Sequence, residues 1–166
     1  MSTTENLRLA LAEEAKNREL YLAFAEKAEA EGNCQVARLF RAVAESELIH
    51  ARSELEMLGA VKSTTENLQR AMWLEEGEFQ KMYARFLKEV QEEPDEQTAA
   101  FWERILKVER GHHKLFREAL TALVDGKDVA DAPMYVCRSC GHTVAGRPLE
   151  PCGVCGAPAD GFAEVP

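Results

Sequence analysis

Glu47-Leu48-Ile49-His50 and Glu109-Arg110-Gly111-His112 decide how this chain is read. Each is a Glu-x-x-His inside a long helical pattern. Residues three apart share a helical face, so the carboxylate and imidazole of each motif can grip one cation from one side. A single such motif is weak. The chain has 24 Glu in 166 residues, so a Glu three before a given His arises by chance about one time in seven, and a solvated pair is its ordinary meaning. Here both motifs lie on apolar stripes. Two further stripes each carry a lone Glu, at Glu14 and Glu75. Buried carboxylates are costly without partners. Six ligands drawn from four helices form the set that holds two iron or manganese ions inside a four-helix bundle.

The stripes set the helices. The first is expected from the Ser2-Thr3-Thr4 cap signals to Gly32-Asn33, with Leu7, Leu11, Glu14, Tyr21 and Ala25 inward. The second runs from Cys34 to Leu58, with Val36, Phe40, Val43, Glu47, His50 and Met57. The third begins near Thr65 and ends before Pro94, with Leu68, Met72, Glu75, Glu78 or Phe79, Met82 and Phe86. The fourth runs from about Asp95 to Val124, with Trp102, Ile105, Glu109, His112, Phe116 and Leu123. The sequence also repeats. STTENL stands at Ser2–Leu7 and again 61 residues later at Ser63–Leu68, and that offset maps Glu14 onto Glu75. An offset of 62 maps Glu47 onto Glu109 and His50 onto His112. Two related hairpins facing each other would make a pseudo-symmetric two-metal site.

After Val124 the helical period stops. The expected domains are a bundle over 1–124, a polar linker over 125–134 and a small module over 135–166. The module is too short to fold on hydrophobic burial alone. Cys137-x-x-Cys140 and Cys152-x-x-Cys155 staple it, each pair followed by a glycine, Gly141 or Gly156. Four thiolates make a tetrahedral site for zinc or a single iron, and the spacing does not choose between them. With four thiolates in place, His142 is expected to be exposed and not a ligand.

Other residues carry weaker signals. His113 rivals His112, being four residues from Glu109, but the repeat favours His112. Tyr21 and Tyr83 read either as core packing or as hydroxyls that orient ligand carboxylates. Cys34 is expected to be a small buried filler, and Trp73 and Trp102 packing residues. A net charge of −9 argues against nucleic acid and an anionic membrane surface. No signal peptide or membrane-length apolar run is visible, and five cysteines without export suggest metal or redox use. A cytoplasmic location is expected.

These features together resemble the rubrerythrin family: an all-α, ferritin-like diiron bundle followed by a rubredoxin-like four-cysteine β module. The likeness rests on the NL…Glu14…Tyr21 pattern, Glu47-Leu48-Ile49-His50, Glu75-Glu76-Gly77-Glu78 with Tyr83, Glu109-Arg110-Gly111-His112, and the tail CRSCG…PCGVCGAP. The resemblance implies two irons held by Glu14, Glu47, His50, Glu75, Glu78, Glu109 and His112. It implies one iron, or zinc in its place, held by Cys137, Cys140, Cys152 and Cys155. It implies reduction of hydrogen peroxide to water, with electrons from an NAD(P)H-dependent reductase or other donor passing through the thiolate-bound iron. Glu78 would exchange with His50 as the iron changes oxidation state. A ferroxidase, and an interaction protein with a zinc ribbon, are the competing classes.

One feature departs from the family. Only Gly59 to Thr64 joins the second and third helices. In a ferritin-like bundle these helices run parallel, so the chain must climb back past the site. His50 to Leu58 rises ~12 Å and Thr65 to Glu75 ~15 Å, so the connector must span roughly 27 Å. Six residues reach ~20–22 Å at most. The expectation is a swapped homodimer, in which the first hairpin of one chain faces the second hairpin of another. The alternative is an up-down-up-down monomer.

Overall fold

The computed structural model describes residues 2–92 and 95–166, and it divides into two compact units, Met1–Lys62 and Ser63–Pro166. The first unit is a helical hairpin of α1 (Thr3–Ala30) and α2 (Cys34–Met57). The Ser2 hydroxyl accepts from the Glu5 N–H, and the Glu5 carboxylate accepts from the Ser2 N–H, a reciprocal cap that satisfies two orphan donors. Gly32, at φ 82°, makes the turn. The seam between the helices is alanine. Ala25 and Ala28 of α1 and Ala37, Ala44 and Ala51 of α2 are its buried residues. The α2 alanines recur every seven residues, so small side chains let the backbones close on one line. Two helices bury only one line each. Val36 and Met57, expected inward, therefore stand 46% and 71% exposed. Cys34 is also exposed at the start of α2, not buried as expected, because it precedes the seam.

The second unit opens with α3 (Thr64–Gly77), capped by Ser63 and Glu66 just as Ser2 and Glu5 cap α1. A single π-helical turn follows, Glu78–Met82, then α4 (Tyr83–Glu92). The Tyr83 N–H reaches back five residues to the Glu78 carbonyl, so the rod takes one extra residue at this point. The third helix expected from the sequence is thus three segments, and its end at Glu93 and Pro94 lies outside the described residues. Asp95 caps α5 (Glu96–Val124) through the Gln97 and Thr98 amides. Trp102 of α5 packs among Tyr83, Phe86 and Phe101, with ring centroids 4.8–5.4 Å apart. Trp73, expected to pack, is 65% exposed on α3.

The chain ends in a three-stranded antiparallel sheet, order β2-β1-β3, from β1 (Met134–Cys137), β2 (Thr143–Ala145) and β3 (Phe162–Val165). Gly141 (φ 81°) and Gly156 (φ 75°) close the two Cys-x-x-Cys turns. This sheet packs on α5 through Gly141, where an added Cβ would lie 3.9 Å from Val108 Cγ1. His142 fits against the bare backbone of Gly111, 3.8 Å from the place a Cβ would take, with its ring 6.4 Å from Phe162. It is therefore half-buried, not exposed as expected, and burial pushes its pKa down. No helix among the described residues is long and apolar enough to cross a membrane.

Candidate metal centres

Each unit gathers one Glu/Glu/His cluster. In the first, Glu14 comes from α1 and Glu47 and His50 from α2. His50 Nδ1 lies 3.3 Å from Glu47 Oε2 and 3.6 Å from Glu14 Oε2. In the second, Glu75 comes from α3 and Glu109 and His112 from α5. His112 Nδ1 lies 2.8 Å from Glu109 Oε2 and 3.7 Å from Glu75 Oε2. Within each cluster one ligand atom per residue lies within 4.8 Å of the others. The helix supplies two ligands by i,i+3 geometry; packing against its hairpin mate supplies the third.

The carboxylates are crowded in a way that asks for a cation. A hydrogen bond shared with Glu47, then burial, raises the Glu14 pKa. Burial, then the hydrogen bond and charge of Glu109, push Glu75 up to about 7. Glu75 Oε2 is a buried oxygen without a hydrogen-bond partner. In such a site a metal ion takes the place that a proton would otherwise fill.

Glu78 stands beside the second cluster and not in it. Burial and the Glu109 charge raise its pKa, and its own charge acts on Glu75. Burial, then the charges of Glu78, Glu109 and Glu75, raise the Tyr83 pKa. Its ring packs on Trp102 and Phe86. Tyr21 stands in an aromatic group with Phe24 and Phe40, at centroid distances of 6.3 Å. His113 turns away from the cluster, edge-on to Phe79 at 5.6 Å.

The four cysteines converge. Cys137 Sγ lies 3.7 Å from Cys155 Sγ, and Cys140 Sγ lies 3.6 Å from Cys152 Sγ. A tetrahedron of 2.3 Å metal–sulfur bonds has edges of about 3.75 Å, so the four sulfurs already fit an ion. Burial raises the Cys152 thiol, but the Cys155 and Val154 amides outweigh it and bring the pKa to about 7. Cys140 is pushed far up, chiefly by burial.

Sequence reading missed the far side of His112. Its Nε2 lies 3.3 Å from the Gly141 carbonyl and 3.3 Å from Thr143 Oγ1, and Thr143 also donates to that carbonyl at 3.1 Å. The ring that presents Nδ1 to the carboxylates is thus held by the residue next to Cys140. Nothing marks Thr143 in the sequence, since it lies 31 residues from His112.

A helical hairpin pair with two Glu/Glu/His clusters, followed by a four-thiolate sheet, defines a ferritin-like diiron protein with a rubredoxin-like module. The rubrerythrin family model matches residues 5–120, and the chain belongs to that family. It is 31% identical to rubrerythrin-2 of Clostridium acetobutylicum, over 96% of this chain and 95% of that one. It is 31% identical to nigerythrin of Nitratidesulfovibrio vulgaris, over 97% and 85%. The solved structure of nigerythrin in its mixed-valent state matches with a TM-score of 0.58 at 31% identity, covering 99% of this chain and 87% of that one. Family and donor sets together make iron the metal of both kinds of site.

Proposed function

We propose that this protein is a cytoplasmic peroxidase that reduces hydrogen peroxide to two waters, taking up two electrons and two protons. The observation that carries it is the bond from His112 Nε2 to the Gly141 carbonyl, which joins a carboxylate–histidine cluster to the four-thiolate site next door. When bound, a pair of ferrous ions supplies the two electrons that cleave the O–O bond. The residues do the rest. Glu14, Glu47 and His50 would hold iron from the first hairpin, and Glu75, Glu109 and His112 from the second. Glu78 lies within electrostatic reach of the second cluster but outside it, and it is assigned the exchange with His50. Tyr83 faces the same carboxylates, and with Tyr21 it is assigned to orienting ligands. Cys137, Cys140, Cys152 and Cys155 would hold the relay iron, with electrons supplied by an NAD(P)H-dependent reductase or another donor.

We infer further that the centre closes between two chains. Residues 1–124 form the bundle, 125–134 the linker and 135–166 the module, with the first hairpin of one chain meeting the second hairpin of its partner. Helix α2 ends at Met57 and α3 starts at Thr64, so the connector gains no length over the six residues expected.

The test is anaerobic reduction, metal counting, then stopped-flow oxidation by hydrogen peroxide. Fast recovery of the ferric four-thiolate colour, with three irons per chain, is expected. Zinc among the thiolates and no peroxide turnover would favour an interaction protein. Uptake of many irons per chain would favour iron handling. Glu78→Ala should slow turnover yet leave both cluster irons bound; normal turnover would remove its role. Light scattering with metal analysis checks the swap, which a stable monomer with a filled centre would overturn.

A further inference from the structure

We propose that the cleft beside Cys140 is where the electron donor docks, and that this donor is a redox protein with an acidic face. The inference rests on the four-thiolate site being a redox iron. The cleft, of about 220 Å3, lies wholly in the second unit. Phe101, Arg104 and Ile105 of α5 form one wall, and Arg138, Ser139 and Cys140 the other. Cys137 and Cys152 are buried, 1% and 4% exposed, whereas Cys140 and Cys155 are not. An electron from outside therefore has its short route through one of the latter two, and Cys140 lines this cleft.

The charge there is opposite to that of the chain. Net charge is −9, yet the two ionic side chains of this cleft are both arginines. Neither forms an ion pair among the described residues. Phe101 adds an apolar contact, 43% exposed. Unpaired guanidinium groups around an apolar floor suit a carboxylate-bearing surface, and their field would steer it to the metal's edge. The second cleft of the sheet serves less well: Arg147 and Glu150 both line it, and its cysteine is the buried Cys152. The residue after Cys140, Gly141, meets His112 through its carbonyl. One electron passes from the reduced donor to the ferric thiolate iron; no bond breaks and no proton moves.

The test compares the iron-loaded chain with an Arg104→Glu/Arg138→Glu variant, using a reduced rubredoxin as the acidic donor. The variant should be reduced roughly tenfold more slowly at low salt, with the gap closing as salt rises. A small cation, hexaammineruthenium(II), should reduce the variant faster than the parent, a reversal that a merely damaged fold would not give. Equal rates with rubredoxin would overturn the proposal. Binding is read separately on zinc-loaded protein by amide shifts during titration with oxidised rubredoxin. Shifts are expected at Phe101–Ile105 and Arg138–Gly141; shifts confined elsewhere would also overturn it. Dithionite-reduced parent and variant are then mixed with peroxide. Failure of both to reoxidise would sink the peroxidase reading while leaving the docking result to stand on the titration.

Discussion

The two hairpins carry the same ligands but do not hold them alike. His112 is gripped at both nitrogens, by Glu109 at 2.8 Å on one side and by Gly141 and Thr143 at 3.3 Å on the other. His50 has Glu47 at 3.3 Å on one side, and on the other, among the described residues, only the Ser46 hydroxyl at 3.5 Å, at the limit of a hydrogen bond. Its side chain is 54% exposed, against 26% for His112. A repeat in sequence copies the ligands. It does not copy what stands behind them, because the cysteine module follows only the second hairpin. The second hairpin's histidine is backed on both sides, whereas the first hairpin's is backed on one.

The largest test of that contrast is at the histidines. His112→Ala should lower iron affinity on its side by about 100-fold and abolish turnover, while His50→Ala should retain iron better, because in the proposed exchange Glu78 takes its place. Metal counting after dialysis measures both; equal losses would erase the asymmetry. Next come the outer partners. Thr143→Val should weaken iron binding by about tenfold, and Ser46→Ala should change it little. Competition against a chelator reads each.

The pH response separates the halves further. Glu75 is pushed up to about 7 in the folded chain, against an ordinary 4.5. Between those values the folded protein keeps a proton that the unfolded one releases. Its contribution to the stability of the metal-free protein is therefore full below pH 4.5 and fades as pH climbs to about 7. Over the same window this cluster should bind iron more tightly, since the metal no longer displaces a proton. Melting curves of metal-free protein should show that decline, and Glu75→Gln should flatten it. A slope unchanged in the variant would assign the effect elsewhere. The smallest effect is one where the hairpins should agree. Ser2→Ala and Ser63→Ala each remove the same reciprocal cap, and each should cost about 1 kcal/mol in denaturant unfolding. Unequal losses would show that the repeat is no longer equivalent even at its helix starts.

Much of this was legible in the residues alone. STTENL announced two helix starts because capping is local chemistry within four residues. Glu47 with His50, and Glu109 with His112, were legible because i,i+3 spacing fixes a shared face. The cysteine site was legible because two short turns carry all four sulfurs. The extra residue at Glu78–Met82 was not, since a π turn changes the period that such reading assumes. That is why Glu78 and Phe79 could not be told apart on the stripe. Apart from Ala25, the alanine seam was passed over because larger apolar residues drew the stripe, yet close helix approach selects the smallest side chains.

The sequence by itself determined which atoms could bind metal, since ligand identity and local spacing are properties of a few neighbouring residues. Only the tertiary structure decided how firmly each is held. The Gly141 carbonyl and the Thr143 hydroxyl reach His112 across some thirty residues because the sheet packs on α5 at Val108 and Gly111. That contact depends on the shapes of two packed surfaces, which no short motif encodes.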